Sequence, residues 1–159
     1  MDTQQIINCS KEDFYQILSE IKDFWGSERT LVYHHPMFIY EFGNTAFVIK
    51  DKDKVLAYLF GFVSQNEQIG YVHMIGVRQD FQKKGLGRRL YEHFIDILRD
   101  KDIYEIKAIT TPANENSIKF HLHLGMTMTG IKNEDGIKVV KNYSGIGQDR
   151  VVFKMQTRK

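Results

Sequence analysis

Residues Gln82-Lys83-Lys84-Gly85-Leu86-Gly87 stand between an apolar run and a helical pattern, and that placement constrains the chain more than any other feature. Tyr71-Val72-His73-Met74-Ile75-Gly76-Val77 comes directly before, and Leu86, Leu90, Phe94, Ile97 and Leu98 recur at helical spacing after. A strand, a short glycine-containing loop and a helix start in that order leave the first-turn N–H groups without intrahelical partners, where the macrodipole adds partial positive charge. Gly85 and Gly87 let a ligand approach the backbone, and Lys83, Lys84, Arg88 and Arg89 add charge. Two readings fit these residues: a loop for a phosphate-bearing ligand, and a glycine turn at the start of a basic helix.

The rest of the composition narrows the classes. A chain of 159 residues suits one domain, taken as 1–159, and 42% hydrophobic residues suffice for a core. The net charge of +2 argues against a nucleic-acid partner. The single cysteine, Cys9, excludes an intramolecular disulfide and a cysteine-based zinc site, and no metal is expected. Met1-Asp2-Thr3-Gln4-Gln5 lacks the basic segment and apolar run of a signal peptide, and no run reaches the roughly 20 apolar residues of a membrane helix. The expectation is a cytoplasmic protein without membrane association; a homodimer is compatible with the sequence.

Ser10 followed by Asp13 resembles a helix N-cap, with Phe14, Ile17, Leu18 and Ile21 at helical spacing and Gly26 at the end. A first strand covers 5–8, and Pro36 suits the first turn of a short second helix. Strands follow over 45–50, 55–63 and 69–77, giving three consecutive antiparallel strands. A helix runs from the loop to about 100, and a strand over 103–110 alternates Tyr104, Ile106 and Ala108 with Glu105 and Lys107. The helix between them makes the fourth strand (69–77) and the fifth (103–110) parallel. A helix over 114–123 and closing strands over 125–131 and 150–155 complete the chain. The polar, glycine-rich segment 132–149 between those strands is long enough to be functional or partly mobile.

The loop lacks the G-x-x-x-x-G-K-[ST] pattern of a P-loop. It also lacks the third glycine of a dinucleotide fingerprint, because Leu90 stands there. What remains, Q-x-x-G-x-G, resembles the acetyl-CoA pyrophosphate loop of the GNAT superfamily of N-acetyltransferases. Asn114-Glu115-Asn116-Ser117-Ile118-Lys119-Phe120-His121-Leu122-His123-Leu124-Gly125-Met126 is similar to a second segment of that family. From the residues alone, Asn114 is an N-cap, Ile118 and Leu122 are core, and Gly125 is a C-cap; both readings can hold together. The resemblance covers most of the chain. It implies an α/β (α+β) fold with a mixed, mostly antiparallel central sheet, a splayed parallel pair of fourth and fifth strands, and flanking helices.

The resemblance also implies acetyl-CoA as co-substrate and a primary amine, on a small molecule or peptide, as acceptor attacking the thioester directly. Cofactor contacts would come from Ile75, Gly76, Val77, Gln82, Lys83, Lys84, Gly85, Leu86, Gly87, Arg88, Asn114, Ser117 and Phe120. The pantetheine arm would pair with the backbone of Met74 to Val77, opened by a bulge, and an amide near Ile75 or Gly76 would face the thioester oxygen. Where much of the family has a tyrosine that protonates the leaving thiolate, this chain has His121, which departs from the commonest pattern. Where several members carry a carboxylate base, it has Tyr71, a poor base at neutral pH. His73, two residues on, is then the candidate base, with Glu41, His34 and His35 behind it. His123 points to another face and is read as structural. Acceptor specificity in the family lies around 26–42 and 132–149, where Glu41, Glu134 and Asp135 could attract a cation and Tyr33, Tyr40, Phe42 and Tyr143 could wall an apolar group.

Two other classes compete. A non-catalytic acyl-CoA sensor on the same fold would keep the loop and lose the acid and base, whereas His121 and His73 are both present. An RNA-binding domain would interleave aromatic and basic residues on a sheet face, and the charge balance argues against it.

Overall fold

The computed structural model describes residues 4–158. Ser10 opens the first helix by a reciprocal capping box: Ser10 Oγ accepts the Asp13 N–H at 3.0 Å, and the Asp13 carboxylate accepts the Ser10 N–H at 3.0 Å. Lys50 Nζ, 2.8 Å from Asp13 Oδ1, ties that cap to the sheet. The single helix expected up to Gly26 is two, α1 (Lys11–Ser19) and α2 (Ile21–Trp25). The break falls at Glu20, whose backbone leaves the helical region at φ −111 and whose carboxylate pairs with Arg78. Gly26 ends α2 in the left-handed conformation, φ 75.

The chain falls into two compact units, one formed by residues up to 62 together with 72–101, the other by 63–71 and the residues from 102 onward. In the first, β1 (Gln5–Asn8) runs antiparallel to β2 (Ala46–Asp51), and β2 antiparallel to β3 (Lys54–Val63), with a register shift at Ile49/Lys50. Residues 72–77 of β4 (Gly70–Val77) also belong to this unit. Alternation along the strands splits two packing faces. Val48, Tyr58, Phe60 and Met74 pack with Phe14, Ile17 and Phe24 of α1 and α2 and with Phe38 of α3 (Met37–Tyr40). On the opposite face of β2, Phe47 meets His93 edge-on at 4.7 Å and Phe94 at 6.1 Å, both on α4 (Leu86–Arg99). Each fully buried aromatic or branched side chain contributes about 1.5–3 kcal/mol by leaving water.

In the second unit, β9 (Val151–Gln156) lies antiparallel to both β5 (Glu105–Thr110) and β6 (Thr127–Thr129). α5 (Glu115–His123) packs His121 against Phe153 of β9. The closing strand expected over 125–131 is broken at Gly130, where φ is 102 and a methyl group would meet the Val139 carbonyl at 2.2 Å. Segment 132–149 is partly built: β7 (Ile131–Lys132) and β8 (Lys138–Val139) form a small antiparallel ladder. Beyond it Asn142 Oδ1 accepts the Gly147 N–H at 2.7 Å, and Asp149 Oδ1 accepts the Asn142 N–H at 2.9 Å. The class is mixed α/β, with mostly antiparallel strands and flanking helices, as the resemblance implies. No helix among the described residues is long and apolar enough to cross a membrane.

Candidate active site

In the first unit, β4 leads directly into the glycine loop. Arg78 follows Val77, a 3-10 turn covers Gln79–Phe81, and Gln82 returns its amide Nε2 to the Val77 carbonyl at 3.3 Å. Lys83 and Gly85 both take left-handed backbone, φ 62 and 82, which curls the loop before α4 begins. Gly85 is the N-cap and offers no side chain, the first turn of α4 holds no acidic residue, and nothing lies within 4 Å of where a Gly85 side chain would start. The helix start therefore presents N–H donors without a capping side chain, in open space, beside the exposed Lys83, Lys84 and Arg88. Such an end is fitted to a compact anion such as a phosphate.

Arg78 anchors the loop from behind. Its buried guanidinium donates from Nε to the Val55 carbonyl at 2.5 Å and from Nη2 to Gln16 Oε1 at 3.2 Å. It pairs with Asp23 at 3.2 Å and with Glu20, and lies 4.7 Å from the Phe24 ring centroid. Neither Arg78 nor its partners stood out in the sequence, because they are scattered from residue 16 to 78 with no spacing that marks them.

β4 does not keep strict alternation. His73 stacks on Phe38 at 4.7 Å, and Phe38 stacks on Phe60 at 6.0 Å. Met74 belongs to the same packed group, and a side chain on Gly76 would run into Tyr58 of that group. Strict alternation would send residues 73 and 76 to opposite faces. Both meet the Tyr58–Phe60–Phe38 aromatics, so alternation breaks between them, as a bulge does. Ile75 and Val77, partly buried, and Gly76, buried, lie in this irregular stretch just before the loop.

Under Gly76 lies a buried polar chain. The His34 Nδ1–H donates to the Thr30 carbonyl at 2.8 Å, which leaves Nε2 to accept the Tyr58 O–H at 2.6 Å; the Trp25 indole N–H donates to the same phenol oxygen at 2.8 Å. Burial depresses the His34 pKa, and the nearby His73 adds to that shift. His73 is also depressed, by burial first, against a hydrogen bond to the Tyr33 backbone that favours its charged form. Both rings are therefore neutral at pH 7, the state a proton acceptor requires. Glu41 and His35 are exposed.

In the second unit, Asn114 caps α5, its Oδ1 accepting the Ser117 N–H at 3.1 Å. His121 is 1% exposed, stacked on Phe153 at 4.5 Å and edge-on to Phe120 at 5.1 Å. Its Nδ1 lies 2.7 Å from the Ser117 carbonyl and so carries the proton. Burial pulls its pKa down to about 4, against that bond's opposing pull. His123 is exposed, apart from His121, as its spacing implies. Tyr71 is buried, which raises its pKa; Tyr143 raises it further and Arg150 lowers it.

A curled glycine loop and an uncapped helix start, reached from an irregular strand, sit here in a mixed α/β fold, an arrangement whose free N–H groups suit an anion. The model of the acetyltransferase (GNAT) family matches residues 11–126, and the chain belongs to that family. It is 31% identical over 86 residues to an L-2,4-diaminobutyric acid acetyltransferase of Shouchella clausii; the match covers 54% of this chain and 48% of that protein, so the chain spans about half its length. Among solved structures it is similar in fold to a GNAT-family acetyltransferase from Desulfovibrio desulfuricans (TM-score 0.78, 13% identity, 97% of this chain and 99% of that one). It also resembles the PaiA N-acetyltransferase of Thermoplasma acidophilum in complex with coenzyme A (TM-score 0.71, 11% identity, 97% and 99% covered).

Proposed function

We propose that this chain is an N-acetyltransferase that moves the acetyl group of acetyl-CoA to a primary amine. The observation that carries the reading is the uncapped start of α4 behind the curled loop Gln82–Gly85, a place for the pyrophosphate. That a relative acetylates diaminobutyric acid supports an amine of a small molecule.

In this reading Gln82, Lys83, Lys84, Gly85, Leu86, Gly87 and Arg88 hold the pyrophosphate through N–H groups and charge. Ile75, Gly76 and Val77 offer backbone to the pantetheine arm, and a β4 amide donates to the thioester oxygen as it gains negative charge. The neutral amine forms a C–N bond to the carbonyl carbon, the C–S bond breaks, and the amine proton goes to His73, directly or through water. Asn114, Ser117 and Phe120 are proposed as further contacts to acetyl-CoA.

His121 is proposed, from its place in the second motif, to serve the leaving sulfur, and its burial limits how. Burial pulls its pKa down to about 4, so the ring is neutral at pH 7, and its single proton is directed at the Ser117 carbonyl. It therefore contributes as a packed neighbour that shapes α5 more than as an acid, and water supplies the thiolate's proton.

Release of free CoA with a panel of amines tests the reading, alongside the pH profile of kcat/KM. Because the pKa of His73 is depressed, activity should fall only at acid pH, below the ordinary histidine range near 6.5. His73→Gln should lower turnover by about a hundredfold or more and erase that acid limb. Binding of acetyl-CoA without CoA release for any amine would favour the sensor reading instead.

A further inference from the structure

The first unit leaves an aromatic surface beside His73. Along β3, Tyr58, Phe60 and Phe62 alternate onto one face; the first two are fully buried and Phe62 is partly exposed, so the row emerges from the core at its end. Phe38 stacks on Phe62, at 6.5 Å and 8°, and on His73, at 4.7 Å and 21°. Phe42, also partly exposed, closes a triangle with the two phenylalanines, 4.8 Å from Phe62 and 6.2 Å from Phe38. Tyr33 meets the same histidine through its backbone and is itself 38% exposed. Large apolar side chains left open in one place mark a seat for a partner. Charge is scarce here: within 31–45 the only Lys, Arg, Asp or Glu is Glu41, and it is exposed. An ammonium laid against these rings would lose water, and the one carboxylate of the segment stands in solvent, where its pull is screened. An apolar group would gain by leaving water, and the low polarity around His73 favours the neutral form of an attacking amine.

We propose that Phe42 and Phe62, on a floor made by Phe38, seat an aromatic or branched apolar group of the acceptor, so that the acceptor is a monoamine with an apolar body rather than a diamine. The assignment rests on the acetyltransferase reading and on His73 as the group that meets the acceptor amine. The Phe38 stack places His73 at the edge of the aromatic surface, so one acceptor meets both: its amine reaches the imidazole and its body lies on the rings. Aromatic pairs prefer offset or tilted contact with centroids about 4.5–7 Å apart, the spacing that these rings already keep among themselves. The diaminobutyric acid of the relative carries a second amine, and the surface beside His73 selects against one.

Calorimetric titration in the presence of excess CoA tests it, with phenethylamine, ethylamine and 1,4-diaminobutane as probes. Phenethylamine should bind about tenfold or more tighter than either of the others, since a single methylene in an apolar pocket is worth about that factor. Phe62→Leu and Phe42→Leu, apolar replacements without a ring, should each narrow that preference while leaving acetyl-CoA affinity unchanged. Equal binding of the three amines, tighter binding of the diamine, or a preference that survives both substitutions overturns the subsite. Release of CoA from acetyl-CoA keeps the two readings apart. A phenethylamine preference that the substitutions narrow, with no CoA release for any amine, sinks the acetyltransferase and leaves the aromatic subsite standing. CoA release at equal kcat/KM for all three amines does the reverse.

Discussion

A methyl group added at Gly76 would stand 2.6 Å from two carbons of the Tyr58 ring and 2.8 Å from its hydroxyl oxygen. The ring cannot withdraw, because His34 and Trp25 hold that hydroxyl at 2.6 and 2.8 Å inside a fully buried core. Tyr58 thus sets the path of β4 at the residue proposed to face the thioester. Gly76→Ala should destabilise the protein by about 1–3 kcal/mol, the usual cost of overpacking, and weaken acetyl-CoA binding as the strand shifts. Gly43→Ala, with nothing within 4 Å of the new methyl group, is the control. Thermal melts with and without acetyl-CoA check this; a Gly76→Ala protein that matches wild type in both would contradict it.

His121 gives a stability prediction with a definite sign. Its folded pKa, about 4, lies below the roughly 6.5 of an unfolded histidine, so the unfolded chain binds the extra proton first as pH falls. The stability from the neutral ring is fully present above about pH 6.5 and is lost progressively as the pH drops toward 4. The depressed pKa values of His34 and His73 act in the same direction. Melting temperature should decline between pH 7 and pH 5, and less steeply in His121→Gln. An equal slope in both proteins would show that the ring titrates as freely folded as unfolded. In kinetics, His121→Ala should reduce kcat by less than the hundredfold typical of a lost general acid; a larger loss, with activity partly restored by His121→Tyr, would return the acid role to this position.

Asn114 has one role in hand, the cap on α5, and a second proposed. Asn114→Ala should cost about 1 kcal/mol of stability without ligand. Asn114→Ser keeps a capping oxygen and should recover most of that loss. If Asn114 also touches acetyl-CoA, the Ser variant should bind it more weakly at near-normal stability. Normal affinity in that variant would confine Asn114 to capping.

Local chemistry is what the sequence displayed best. The Ser10–Asp13 box, the Gly26 stop, the helix after Gly85 and the Asn114 cap are each decided within a few residues, so spacing suffices to find them. The Glu20–Arg78 pair at the break between α1 and α2 was hidden because its partners lie 58 residues apart. The same holds for Trp25, His34 and Tyr58: His34 was visible only as a weaker candidate base, and folding alone joins the three into one chain of hydrogen bonds. His121 was visible by position, yet its neutrality was not, because burial against Phe153 is a tertiary fact.

The pyrophosphate loop is the central claim, and Gly85 tests it most directly. At φ +82 with open space around it, Gly85 can accept Asn or Asp at a strain of about 1–2 kcal/mol, and a carboxylate there is compatible with a helix start. Gly85→Asn should therefore fold and retain much of its acetyl-CoA protection in a thermal melt. Gly85→Asp should fold as well and lose it, because its charge stands where phosphate must sit. Wild type, at acetyl-CoA a hundredfold above Kd, should gain about 2.7 kcal/mol. Protection that survives Gly85→Asp, or is absent from the wild type, would contradict the account.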